Sequence, residues 1–177
     1  MWRGCPDWRL RSPLMGPLRT DRLDLVPLRV EHADEMAEVL SDPALHEFIG
    51  GEPATAEQLR LRYEKQVAGS PDPTVTWANL VIWLRAEDRL TGYVQATIAH
   101  GTAEIAWVVG TPWQGRGIAS ESARALADWL RSTGVTEIVA HVHPKHAASG
   151  AVAAAAGLTQ TDAVVDGESR WRWQTTS

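Results

Sequence analysis

The chain has 177 residues and is 44% hydrophobic, which suits one domain with a sizeable buried core. Its formal net charge of −5 argues against nonspecific nucleic-acid binding and favours a cationic partner such as an amine. No apolar run approaches the ~20 residues of a membrane span, and the single cysteine, Cys5, leaves no internal disulfide to form and fits a reducing cytoplasm.

Residues 1–14 carry Arg3, Arg9, Arg11, Trp2, Trp8, Pro6 and Pro13 without a hydrophobic period. They read as a disordered extension with no signal-peptide core, ahead of one domain over 15–177. Leu23 to Leu28 alternates and predicts a strand, placed at a sheet edge because Pro27 cannot donate to a ladder. Glu31 to Leu40 predicts a helix with Ala33, Met36, Ala37 and Leu40 on one face. Pro43 is read as its break, with a loop through Phe48, Gly50, Gly51 and Pro53. Thr55 is placed to cap a helix over Ala56 to Ala68, with Leu59, Tyr63 and Val67 along one stripe. Thr76 to Leu84, Leu90 to Ala99 and Ala103 to Val109 predict three strands in an antiparallel meander, the first two joined by the charged turn Arg85 to Arg89. A helix over Ala119 to Ser132, stopped at Gly134, then leads to a buried strand at Glu137 to Val142, a crossover that implies parallel pairing. Ser149 to Ala156 predicts a helix ended by Gly157, and Arg170 to Gln174 the last strand. No repeat or second domain emerges.

The most informative stretch is Trp113-Gln114-Gly115-Arg116-Gly117-Ile118-Ala119, a glycine turn between a strand and a helix. Free N–H groups at a helix start, with the helix dipole behind them, hold phosphate, and glycine lets the backbone approach it. A nucleotide-triphosphate loop would need a lysine after the glycines, which is missing. A dinucleotide fingerprint would need a third glycine where Ser120 stands. The pattern Gln114-x-x-Gly117-x-Ala119 leaves the pyrophosphate of coenzyme A.

That loop resembles the acyl-CoA-binding loop of the GNAT superfamily of N-acyltransferases. Three further segments resemble its RimJ/RimL-like branch, named for enzymes that acetylate ribosomal-protein N-termini. They are Leu18-Arg19-Thr20-Asp21-Arg22-Leu23-Asp24-Leu25-Val26-Pro27-Leu28, Ala103-Glu104-Ile105-Ala106-Trp107, and His146-Ala147-Ala148-Ser149 followed by Gly157-Leu158. The resemblance spans residues 18 to 158. It implies a mixed α/β GNAT fold: a mostly antiparallel sheet, a parallel pair splayed at the acyl-CoA site, and helices on both faces. It implies acetyl-CoA as co-substrate, held by Gln114, Gly115, Arg116, Gly117, Ile118 and Ala119. A bulge in the strand before the loop would open Trp107, Val108 and Val109 to the thioester and pantetheine, with His146 and Ser149 beyond.

An amine must lose a proton before it attacks a thioester, and a carboxylate serves as base directly or through water. Glu104 is the candidate, since the matching glutamate of the branch is implicated as base; the plain reading is a solvated strand glutamate. The tyrosine that many superfamily members use as proton donor is missing, with Ala153 at its position. Ser149 corresponds to the branch's proposed donor, and equally fits a helix N-cap. His146 replaces the family's usual asparagine. His141, His143 and His146 invite a zinc reading, but no carboxylate is apparent nearby to support it, and no metal is expected. Of nine tryptophans, Trp83, Trp107 and Trp129 read as packing. Trp77, Trp171 and Trp173 fit either packing or an acceptor pocket, to which Glu47 and Phe48 are also assigned.

The expected function is therefore transfer of an acetyl group to a primary amine, a small molecule or a peptide N-terminus, by a cytoplasmic monomer or homodimer without nucleic-acid or membrane partners. A non-catalytic acyl-CoA sensor and a dinucleotide oxidoreductase are the rivals.

Overall fold

A computed structural model describes residues 15–175; the extension proposed for 1–14, Cys5 included, lies outside the described residues. The elements run β1 (Leu18–Arg19), β2 (Leu23–Pro27), α1 (Ala33–Val39), α2 (Pro43–Ile49), α3 (Ala56–Ala68), β3 (Val75–Leu84), β4 (Arg89–Ala99), β5 (Thr102–Val109), α4 (Ile118–Ser132), β6 (Glu137–Val142), α5 (Ala147–Ala155), β7 (Thr159–Val165) and β8 (Glu168–Gln174). Single 3₁₀ turns precede α1 at Val30–His32 and α4 at Thr111–Trp113. One sheet holds the strands in the order β1-β2-β3-β4-β5-β6-β8-β7. Every pairing is antiparallel except β5 with β6, the pair joined through α4. The mixed α/β architecture and the meander follow the expectation.

The core is aliphatic. Leu23 and Leu25 of β2, Leu80 and Ile82 of β3, Leu90 of β4, Ile138 of β6, and Ile118, Leu126 and Leu130 of α4 are almost fully buried, each worth about 1.5–3 kcal/mol over exposure. Helix α4 is amphipathic, burying Ser122, Ala123 and Ala127 beside its isoleucine and leucines, while Ala125 and Trp129 sit half-buried. Helix α3 begins with a capping box, Thr55 Oγ1 accepting from the Gln58 N–H while Gln58 Oε1 accepts from the Thr55 N–H. Its Leu59 and Tyr63 are buried, but Val67 is 52% exposed, one turn past the edge of the packed face.

Four departures from the sequence reading matter. Pro43 does not break the chain: it occupies the first turn of α2, and Asp42 caps that helix by accepting from the Ala44 N–H. Pro27 lies inward of an outer strand, because β1 pairs Leu18 with Leu25 and Arg19 with Asp24; β1 ends there, so Pro27 is unpaired on that side. Strand β7 was not expected. The bulge anticipated in β5 is absent: β5 pairs with β4 in unbroken register from Thr102 opposite Ala99 to Val109 opposite Gly92. The irregularity lies on the other side of β4, where Ile82 faces Gly92 and Trp83 faces Leu90, leaving Thr91 as the extra residue.

Candidate active site

Strands β5 and β6 are paired only through Thr102 with Glu137, Ala103 with Ile138, and Glu104 with Val139. Beyond Glu104, β5 stays with β4 while β6 follows β8, so the sheet opens into a wedge. A cleft of about 710 Å³ fills it, reaching from the loop before α4 to the start of β8. The splay expected of the parallel pair is thus present, produced by two divergent neighbours and not by a bulge.

One wall is the glycine loop. Gly115 and Gly117 have φ of +71° and +78°, and Gly117 directly precedes α4 without a side-chain cap. The first N–H groups of α4 therefore face the cleft without intrahelical acceptors, and Gly115, Gly117, Ile118 and Ala119 all line it. Gln114 also lines the cleft and turns back, its Nε2 donating to the Val109 carbonyl at 3.0 Å. Trp107, Val108 and Val109 form the β5 wall.

The loop is braced from behind by residues whose role was not legible in sequence. Glu121, in the first turn of α4, accepts from Thr20 Oγ1 at 2.6 Å and from the Arg22 N–H and Nε at 3.0 and 2.7 Å. Arg22 also donates through Nη1 to the Arg116 carbonyl at 2.9 Å. Burial works against ionising Glu121, but the Thr20 and Arg22 hydrogen bonds outweigh it and hold its carboxyl below the ordinary value. Arg116 is not at the cleft wall: its guanidinium sits on Glu87 at 2.6 Å. Glu87 also accepts from Trp113 Nε1 at 2.8 Å, and these two donors, Trp113 first, lower its pKa. Arg116, expected among the residues that hold the co-substrate, thus turns its side chain to the loop's bracing. Thr20 and Arg22 belonged to the quoted opening segment, and that was the only sequence signal for them.

The opposite wall is α5. Its N-cap is His146, whose Nδ1 accepts the Ser149 N–H at 3.2 Å. Ser149 is therefore not the cap. Its hydroxyl accepts from Trp107 Nε1 at 3.1 Å and keeps its own proton free to donate. The cap requires a neutral imidazole, and burial, then the neighbouring His143 charge, lower the His146 pKa accordingly. Val152 lines the cleft, whereas Ala153, at the superfamily's tyrosine position, is fully buried.

Helix α2 roofs the far end. Glu47 and Phe48 line the cleft, and the Phe48 ring lies 4.2 Å from that of His146 and 5.7 Å from that of His143. Tyr93 and Gln95 of β4, His141 of β6 and Glu168 of β8 complete this end; of these the sequence reading names only His141, and only for zinc. Burial raises the Tyr93 pKa, so its hydroxyl stays protonated. Glu104 itself lies just outside the wall, its Oε1 3.3 Å from His141 Nδ1. Trp77 does not line the cleft: it shares a sheet row with Thr97 and Glu104, two strands away. Trp171 packs against Gly150 of α5, and Arg131 stacks on Trp173, so both serve packing. The three histidines do not converge: His141 faces Glu104, while His143 and His146 both pack against Phe48. Among the described residues, no group of three or more His, Cys, Asp or Glu is placed to share a metal ion.

A wedge beside a helix N-terminus with no side-chain cap is the class of site that takes a phosphate-bearing co-substrate. The family model for the acetyltransferase (GNAT) domain matches residues 22–159. The chain belongs to the GNAT acetyltransferase family. A search of curated proteins gives no sequence match. Among solved structures, it is similar to a GNAT-family acetyltransferase from Bacillus anthracis, with 20% identity and a TM-score of 0.74 over 89% of this chain and 98% of that one. RimL, the ribosomal L7/L12 α-N-protein acetyltransferase in complex with coenzyme A, gives 18% identity and 0.72 over 89% and 97%. The aminoglycoside acetyltransferase AAC(6′)-Ib in complex with coenzyme A gives 19% and 0.71 over 86% and 94%. At these identities the likeness is one of fold, and it includes the branch whose motifs the sequence resembles. No helix among the described residues is long and apolar enough to cross a membrane.

Proposed function

We propose that residues 15–177 act as one catalytic unit that moves an acetyl group from acetyl-CoA to a primary amine by direct attack in a ternary complex. One observation carries this reading. The wedge between β5 and β6 joins an uncapped α4 N-terminus at one end to the Glu104–His141 pair at the other, with Ser149 between. The residues fit the co-substrate: Gln114, Gly115, Gly117, Ile118 and Ala119 would hold its pyrophosphate, while Trp107, Val108, Val109 and His146 would flank its pantetheine arm. When bound it supplies the thioester. Glu104, directly or through the His141 imidazole it faces, supplies the basicity that frees the amine nitrogen, and Ser149 Oγ gives a proton to the departing sulfur. Glu47 and Phe48 belong to the acceptor end. The acceptor is a peptide α-amine or a small-molecule amine, the two kinds that RimL and AAC(6′)-Ib name.

The test is thiol release from acetyl-CoA with Ser- and Ala-initiated peptides, spermidine, glucosamine and an aminoglycoside. Release with at least one amine is expected. Thermal stabilisation by acetyl-CoA with no release from any amine would instead favour a sensor, the reading that the buried Ala153 supports. The bracing gives a second expectation. Arg22→Ala removes charge-assisted bonds to Glu121 and to the Arg116 carbonyl, so acetyl-CoA binding should weaken about tenfold or more by calorimetry. An unchanged affinity would show that the loop holds its shape without Arg22.

A further inference from the structure

Glu104 and His141 meet only because three parallel rungs set their register. Glu104 is opposite Val139, and His141 follows two residues later on the same face of β6, where β5 has already begun to diverge. The result is an exposed carboxylate at 3.3 Å from an imidazole that is itself mostly covered, the side chains being 60% and 21% accessible. The imidazole, not the carboxylate, forms part of the cleft wall. A carboxylate can only accept, so in the neutral imidazole the nitrogen facing Glu104 carries the proton and Nε2 keeps its lone pair. The other groups around His141 do not compete for that arrangement. Arg170, opposite it on β8, is engaged by Glu137 at 3.2 Å, and His143, two residues on, packs against Phe48.

We infer that His141 is the residue that takes the proton from the attacking amine, and that Glu104 is the positioning residue that holds its tautomer. The inference rests on the acetyl-transfer reading above. In the step, the amine's N–H bond breaks and its proton passes to His141 Nε2, making an imidazolium next to the Glu104 carboxylate. The amine nitrogen bonds to the thioester carbonyl carbon, the carbon–sulfur bond breaks, and sulfur leaves with its electron pair, taking up a proton from Ser149 Oγ or water. The proton on His141 then passes through solvent to Ser149 Oγ, or to the hydroxide left where water was the donor, so that both groups return to their starting state. The orienting carboxylate, imidazole and reacting group stand in the same relation as in a hydrolase triad.

The full chain serves for the test, in two arms. Proton–nitrogen correlation NMR of the wild type should show His141 with Nδ1–H, reverting in Glu104→Ala to the Nε2–H form that free imidazole side chains prefer; this arm needs no amine. For kinetics, the panel amine giving the fastest thiol release is the probe. His141→Ala should lose about 10²–10⁴-fold in kcat with little change in the KM for acetyl-CoA, and added imidazole should restore part of the rate. Glu104→Ala should lose less and gain nothing from imidazole. Two results would overturn the inference: an unchanged His141 tautomer in Glu104→Ala, or a His141→Ala variant that keeps its rate while Glu104→Ala loses it. A wild-type chain inert to every amine overturns the acetyl-transfer reading instead, and the NMR arm still decides whether the pair is coupled.

Discussion

Gly92→Ala is expected to destabilise the protein by about 3 kcal/mol and to abolish stabilisation by acetyl-CoA even where the variant still folds. A Cβ at Gly92 would stand 2.1 Å from the Val108 carbonyl oxygen and 2.9 Å from the Val109 Cα. Both are backbone atoms, so no rotamer change relieves the clash; one strand must move. The neighbouring chain is already committed. Thr91 is the buried extra residue of the β4 bulge, and its carbonyl accepts the Gly110 N–H at 2.8 Å. Relief therefore has to come from β5 at Val108 and Val109, the strand that walls the cleft. Urea unfolding with and without acetyl-CoA measures both effects. Gly16→Ala is the control, since nothing lies within 4 Å of a Cβ there. Equal stability of the two variants would mean that β4 and β5 yield more easily than their register suggests.

Acidification from pH 7 to pH 4 should cost up to about 3 kcal/mol through one side chain, His32. It lies in the turn before α1, where its Nδ1 accepts the Arg29 N–H at 3.1 Å. Burial, then the Arg29 charge, lowers its pKa from 6.5 to about 4, against a smaller opposing pull from Glu31. The folded state thus keeps His32 neutral in a range where the unfolded chain protonates it. Unfolding takes up a proton there, so stability is complete above pH 6.5 and declines as pH falls from 6.5 towards 4. Protonation also removes the acceptor for the Arg29 N–H. Glu87 and Glu121, whose pKa values lie below the ordinary carboxylate range, lose their contributions only at lower pH. Urea midpoints at pH 7.5 and 4.5 should differ much less in His32→Gln than in the wild type; an equal difference would assign the acid sensitivity elsewhere.

The glycine loop could be read in sequence because its chemistry is local: two left-handed glycines and a helix start are neighbours along the chain. Strands β3 to β6 and helix α4 were legible from their apolar patterns, and helix α3 from its Thr55 cap and the Leu59–Tyr63 spacing. Helix α2 was missed although Asp42 and Pro43 are an N-cap and a first-turn proline; the same proline also fits a break, and only the packing of Leu45 decides. Strand β7 left no trace because it is exposed almost throughout and held by β8 alone, so it has no buried face to write a pattern. Glu104 could be singled out by resemblance, yet its partner His141 is 37 residues away and depends on where two strands part. The cap of α5 fell to His146 and not Ser149 because helix start and motif serine are offset by three residues.

The eight strands among the described residues fall into two plates, β1 to β5 and β6 to β8, joined at a short seam of three rungs, Thr102 to Glu104 against Glu137 to Val139. Gln95 stands on one plate and Glu168 on the other, and both border the same cleft. A co-substrate seated between the plates would form part of the wall that an acceptor meets. Acceptor binding is then expected to differ between the empty and the acetyl-CoA-loaded protein, which titration of an acceptor amine with and without coenzyme A measures.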